Sequence, residues 1–117
     1  MRRWISIAIC ALVTACGEKE PLDTADLCSD VPTVTWNNFG HGFVLENCQG
    51  CHASTTPNRY GAPEEVYFDT VEDAWTWSQR MLIRSTGDNP TMPPNGGVDV
   101  DERTKLEWWL LCADYGT

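Results

Sequence analysis

At 117 residues, 42% hydrophobic and 21% charged, the chain supports one folded domain with a small core. A domain of about 100 residues buries only some 60–70% of its unfolded surface, so six cysteines and six tryptophans suggest what else holds it together. The formal net charge of −9 makes nucleic acid and anionic lipid poor partners. The first element in chain order is a leader over residues 1–15. Arg2 and Arg3 precede the mostly apolar run Trp4 to Val13, and small residues then lead into Cys16. The run is too short to cross a bilayer, which takes about 20 apolar residues, and it reads as an export signal. A buried N-terminal helix is the plain alternative. The twin arginines and the polar switch at Gly17 argue against it.

Val13-Thr14-Ala15-Cys16 resembles the lipobox of bacterial lipoproteins, whose cysteine is acylated and becomes the first residue of the mature chain. The resemblance implies a lipid anchor on Cys16 and a mature protein in the periplasm. Gly17 stands where an aspartate would mark the inner membrane, which favours the outer one. Residues 16–27 form an acidic tether, with Glu18, Glu20, Asp23 and Asp26 around Pro21, and residues 28–117 form the domain. Cleavage would remove Arg2 and Arg3, two of the eight basic residues, and −9 becomes −11.

Further on, Cys48-Gln49-Gly50-Cys51-His52 has the Cys-x-x-Cys-His spacing of covalent haem attachment. Two thiols three positions apart in a helical turn can each add to one haem vinyl group, and the adjacent histidine then faces the iron. A thioredoxin-like dithiol needs a βαβ setting, and no strand-like apolar run precedes Cys48. A zinc site needs a fourth ligand, and the only other histidine is His41. With Cys10 in the leader and Cys16 lipidated, Cys28 and Cys112 remain. In an oxidising compartment an even remainder, one at each end of the domain, points to a disulfide rather than two unrelated buried thiols.

The flanks of the motif resemble the class I cytochrome c family over roughly residues 36–112. Gly40-x-x-x-Val44-x-x-x-Cys48 is similar to that family's first helix. Gly40 has no side chain to hold a crossing helix away, and Val44 lies one turn on. The family usually carries an aromatic at the position of Val44; here Phe39 and Phe43 stand beside it. A second helix is expected from about Thr70 to Arg84, with Val71, Ala74, Ser78, Met81 and Leu82 on one face. A last helix follows Asp99-Val100-Asp101-Glu102, whose negative charge suits a helix N-terminus, and Leu106, Trp109 and Leu110 make its apolar stripe. The fold class is all-α, with about three helices around a covalent haem and extensive loops.

Between the last two helices, Asn89-Pro90-Thr91-Met92-Pro93-Pro94-Asn95-Gly96-Gly97 is a loop by its proline and glycine content. In the resembling family a Met-Pro loop delivers the sixth iron ligand, which implies that role for Met92 beside His52. Met81 is the other internal methionine, and core packing accounts for it. His41 could compete for the iron but lies on the first helix, seven residues before Cys48. The family also implies that Pro63 supplies the carbonyl partner of the ligating histidine, with Pro57 as the alternative. Arg59 and Tyr60 are candidates for the haem propionates and Trp75 or Trp77 for the haem edge, with solvent exposure or packing as the plainer readings.

What the resemblance implies is a membrane-anchored electron carrier with one haem c and His/Met ligation. The net charge suits a redox partner with a basic or neutral docking face, with a solvated acidic surface as the plainer reading. Two other readings stay open. One is a haem enzyme or gas sensor with an open or displaceable sixth site, and the other is a haem-bearing subunit of a larger complex.

Overall fold

The computed structural model describes residues 24–114. The leader, Cys16 and the tether as far as residue 23 lie outside them. Among the described residues the secondary structure is entirely helical, with no strand, so the all-α expectation holds. Helix α1 spans Thr24–Asp30 and so takes in the last residues of the expected tether.

The next helical run begins with a wide turn at Trp36–Gly40. Thr35 and Asn38 cap it reciprocally: each side chain accepts the other's backbone N–H, at 3.2 and 2.8 Å. Such a pair satisfies two amide donors that the first turn leaves free. The run continues as α2, His41–Asn47, and α3, Gln49–His52, with a break in backbone angles at Cys48. Helix α4 spans Val71–Thr76 and α5 spans Ser78–Ser85. The single helix expected over this stretch is therefore two, parted at Trp77. Thr76 and Ser78 sit on either side of the break and turn their hydroxyls back onto the carbonyls of Glu72 and Trp75, at 2.9 and 2.8 Å. Back-bonding of this kind bends helices.

Helix α6, Val100–Cys112, opens on Asp99, whose carboxylate accepts the Asp101 N–H at 2.8 Å. Its stripe of Leu106, Trp109 and Leu110 is buried together with Phe43, Val44, Phe68, Ala74 and Met81. Trp109, fully buried, is the hub. Its ring lies 5.7 Å from that of Trp36 and 6.0 Å from that of Trp75. Gly40 meets the same ring face-on, and a Cβ placed there would lie 2.8 Å from Trp109 Cε2. The missing side chain is what lets the turn before α2 cross α6 so closely. At the far end of α6, Cys112 is bonded to Cys28 of α1, which pins the first and last helices together.

Candidate functional site

The Cys48–His52 motif turns on itself locally. Cys51 N–H and His52 N–H both bond the carbonyl of Cys48, at 3.1 and 2.9 Å. This single turn carries Cys48, Cys51 and His52 to the wall of a cavity of about 400 Å³, a size in the range of ligand pockets. Phe43, Phe68, Trp77, Met81 and Val66 give the cavity its apolar walls, and Met92 with Pro93 and Pro94 lines it as well. Both thiols are free.

His52 is held from behind. Its Nδ1 lies 3.0 Å from the carbonyl oxygen of Val66, so the proton belongs on Nδ1 and Nε2 is left with a lone pair. The segment bearing that carbonyl is clipped along α3. Phe68 N–H donates to the His52 carbonyl at 2.8 Å, and the Gln49 side chain donates to the Phe68 carbonyl at 2.8 Å. Ser54 N–H donates to the Asp69 carboxylate at 3.1 Å. The partner of His52 is thus Val66 and not Pro63. Pro63 lines the cavity, but its carbonyl accepts from Val66 N–H at 3.1 Å and from Arg59 at 2.8 Å. That turn from Pro63 to Val66 carries the chain three residues further before it comes alongside the imidazole.

The Arg59 guanidinium spans the carbonyls of Ala53, Ala62, Pro63 and Val66. Tyr60 adopts a left-handed φ of 50°, with its N–H held by the Asn58 side chain at 3.0 Å, and its ring stands exposed at the cavity rim. Of the two tryptophans considered for this site, Trp77 lines the cavity while Trp75 packs on Trp109.

The Met92 loop is fastened on both sides. The N–H groups of Thr91 and Met92 both donate to the Arg84 carbonyl at the end of α5, at 2.7 and 2.9 Å. From α6, Arg103 reaches the carbonyls of Met92 and Ser85 at 2.9 and 2.7 Å. Met92 is half-buried, whereas Met81 is 5% exposed and belongs to the core, although it too touches the cavity. His41 is exposed, stacks on Trp36 at 5.4 Å and is absent from the cavity lining.

Charge and acidity narrow what the site can do. Arg59, Arg80 and Arg84 line the cavity and no carboxylate does, so the local field opposes the net charge of the chain. Burial pushes the Cys48 thiol up to about 12. Among the described residues no three His, Cys, Asp or Glu side chains converge as a metal site. Sequence spacing missed the roles of Val66, Arg59 and Arg103. A backbone carbonyl carries no residue signature, and an arginine reads as a solvated charge. Comparison with known proteins finds no matching family, no matching curated protein and no matching solved structure.

Proposed function

We propose that this chain is a one-electron carrier that holds a single haem through Cys48 and Cys51, with His52 and Met92 as the axial ligands. The observation that carries the reading is one apolar cavity on which both thiols, the histidine and the loop methionine all border. Bound there, haem supplies an iron that gains and loses a single electron.

The residues fit that group. Cys48 and Cys51 would hold it covalently, each thiol adding across a vinyl group, sulfur to one carbon and hydrogen to the other, so that no atom leaves. The Val66 carbonyl fixes the tautomer of His52, which leaves the Nε2 lone pair free to hold the iron. Met92 offers a thioether, a weak and soft donor that stays on a metal only if its loop keeps it there. The fastenings to Arg84 and Arg103 would hold that loop in place. Apolar walls around the group would disfavour the more highly charged ferric form and so raise its reduction potential.

If His52 and Met92 both held the iron, no site on it would be left for substrate or gas, and a carrier would be favoured over a haem enzyme or sensor. In the same reading Cys16 is acylated and the domain works outside the cytoplasm on its tether. The central test is made in a host able to attach haem. Replacing Cys48 and Cys51 together with alanine should abolish haem staining on a denaturing gel. Stain that survives the double change defeats the proposal.

A further inference from the structure

The carbonyl that holds His52 is shared. Val66 O accepts from Arg59 Nη2 at 2.6 Å as well as lying 3.0 Å from His52 Nδ1. The arginine contact is the shorter of the two, and a charged donor makes the stronger hydrogen bond. All four hydrogen bonds of the Arg59 guanidinium go to backbone carbonyls, those of Ala53, Ala62, Pro63 and Val66. Among the described residues no carboxylate lines the cavity beside it. A half-buried positive charge therefore sits one carbonyl away from the histidine.

Resting on the haem reading, we propose that Arg59 is a positioning residue that sets the reduction potential through His52. The physical chain has two links of the same sign. A ligating histidine whose second N–H is pulled hard becomes a stronger donor and stabilises the ferric form. Arg59 draws density from the oxygen that does the pulling, which weakens that hydrogen bond. Its own charge, in surroundings less polar than water, also opposes the additional positive charge of ferric iron. Both effects raise the potential. Arg59 further ties Ala53, just after the motif, to the Pro63–Val66 turn, so it fixes where the shared oxygen stands.

The test uses the haem-loaded mature protein carrying Arg59→Met or Arg59→Lys. Midpoint potentials are read by spectroelectrochemistry, alongside the proton shift of the His52 Nδ1–H in the reduced protein. Arg59→Met should favour the ferric form at least tenfold, a fall of about 59 mV for one electron. The Nδ1–H resonance should move downfield as its hydrogen bond strengthens. Arg59→Lys, which keeps the charge but cannot span the carbonyls, should fall between that variant and the wild type. If Arg59→Met does not accumulate, Arg59→Lys decides, and a wild-type potential with an unmoved resonance overturns the proposal. A variant of lowered stability with both signals unchanged also overturns it, because Arg59 is then only a clamp. Wild-type protein without covalent haem is a different result: it sinks the haem reading itself, before Arg59 is at issue.

Discussion

Gly40→Ala tests the contact on which the helix crossing rests. The backbone at Gly40 is ordinary right-handed helix, φ −56° and ψ −45°, so alanine meets no conformational penalty there. It even gains about 0.4–1 kcal/mol by restricting the unfolded chain. The new methyl, however, falls 2.8, 2.9 and 3.1 Å from Cε2, Cζ2 and Cδ2 of Trp109. That ring is fully buried and flanked by Trp36 and Trp75, so it has little room to yield. Overpacking of this kind costs about 1–3 kcal/mol, which leaves a net loss of about 1.3 kcal/mol between the midpoints of the two ranges. For a domain of this size each kcal/mol shifts Tm by roughly 4–8 °C. Gly42→Ala is the internal control, since a Cβ there meets nothing within 4 Å and the same entropic gain should raise stability. Thermal and urea unfolding followed by circular dichroism should therefore move the two variants in opposite directions. A Gly40→Ala protein as stable as Gly42→Ala would refute the crossing as described.

Met92→Ala should lower the reduction potential, remove the weak sulfur-to-iron absorption and let CO or cyanide bind. Met81→Ala should leave those signals intact and cost about 2–5 kcal/mol as a buried truncation. The opposite pattern makes Met81 the ligand. Non-reducing peptide mapping should find the Cys28 and Cys112 peptides joined, and removing both cysteines should cost about 4–5 kcal/mol in the chain-entropy account. Two thiols that alkylate freely without reductant rule that bridge out. Cys16→Ser should release the protein from membranes and abolish acylation, whereas membrane residence with no lipid on Cys16 in the unaltered protein eliminates the anchor.

How much of this was readable without coordinates depended on the kind of interaction. Gly40, Val44 and Trp109 announce a helix crossing through spacing and size, because helical periodicity maps directly onto which side chains meet. The pairing of Cys28 with Cys112 followed from a count, and the structure forms that bond. The break at Trp77 was hidden because the apolar face of α4 and α5 keeps its rhythm across it. Only the two hydroxyls turned back onto the chain explain the bend. The support of His52 was hidden for another reason. It lies in a main-chain oxygen, which every residue possesses, placed by a turn whose length the side chains do not spell out. Arg59 and Arg103 were visible as charges but not as clamps, since a guanidinium that serves carbonyls leaves no partner of opposite sign in the sequence.

The bond between Cys28 and Cys112 also decides how the domain carries mechanical load. Tension applied between the two ends of the described chain enters through the first turn of α1, crosses from sulfur to sulfur, and leaves at Ala113. The residues between the cysteines, separated by 84 positions, hang from that link as an unloaded loop. At 3.3–3.6 Å per extended residue, roughly 280–300 Å of chain stays out of reach of a pull while the bond is oxidised. The cavity wall at Cys48–His52 and the Met92 loop both lie inside the shielded stretch, so a pull on the ends of the described chain strains neither.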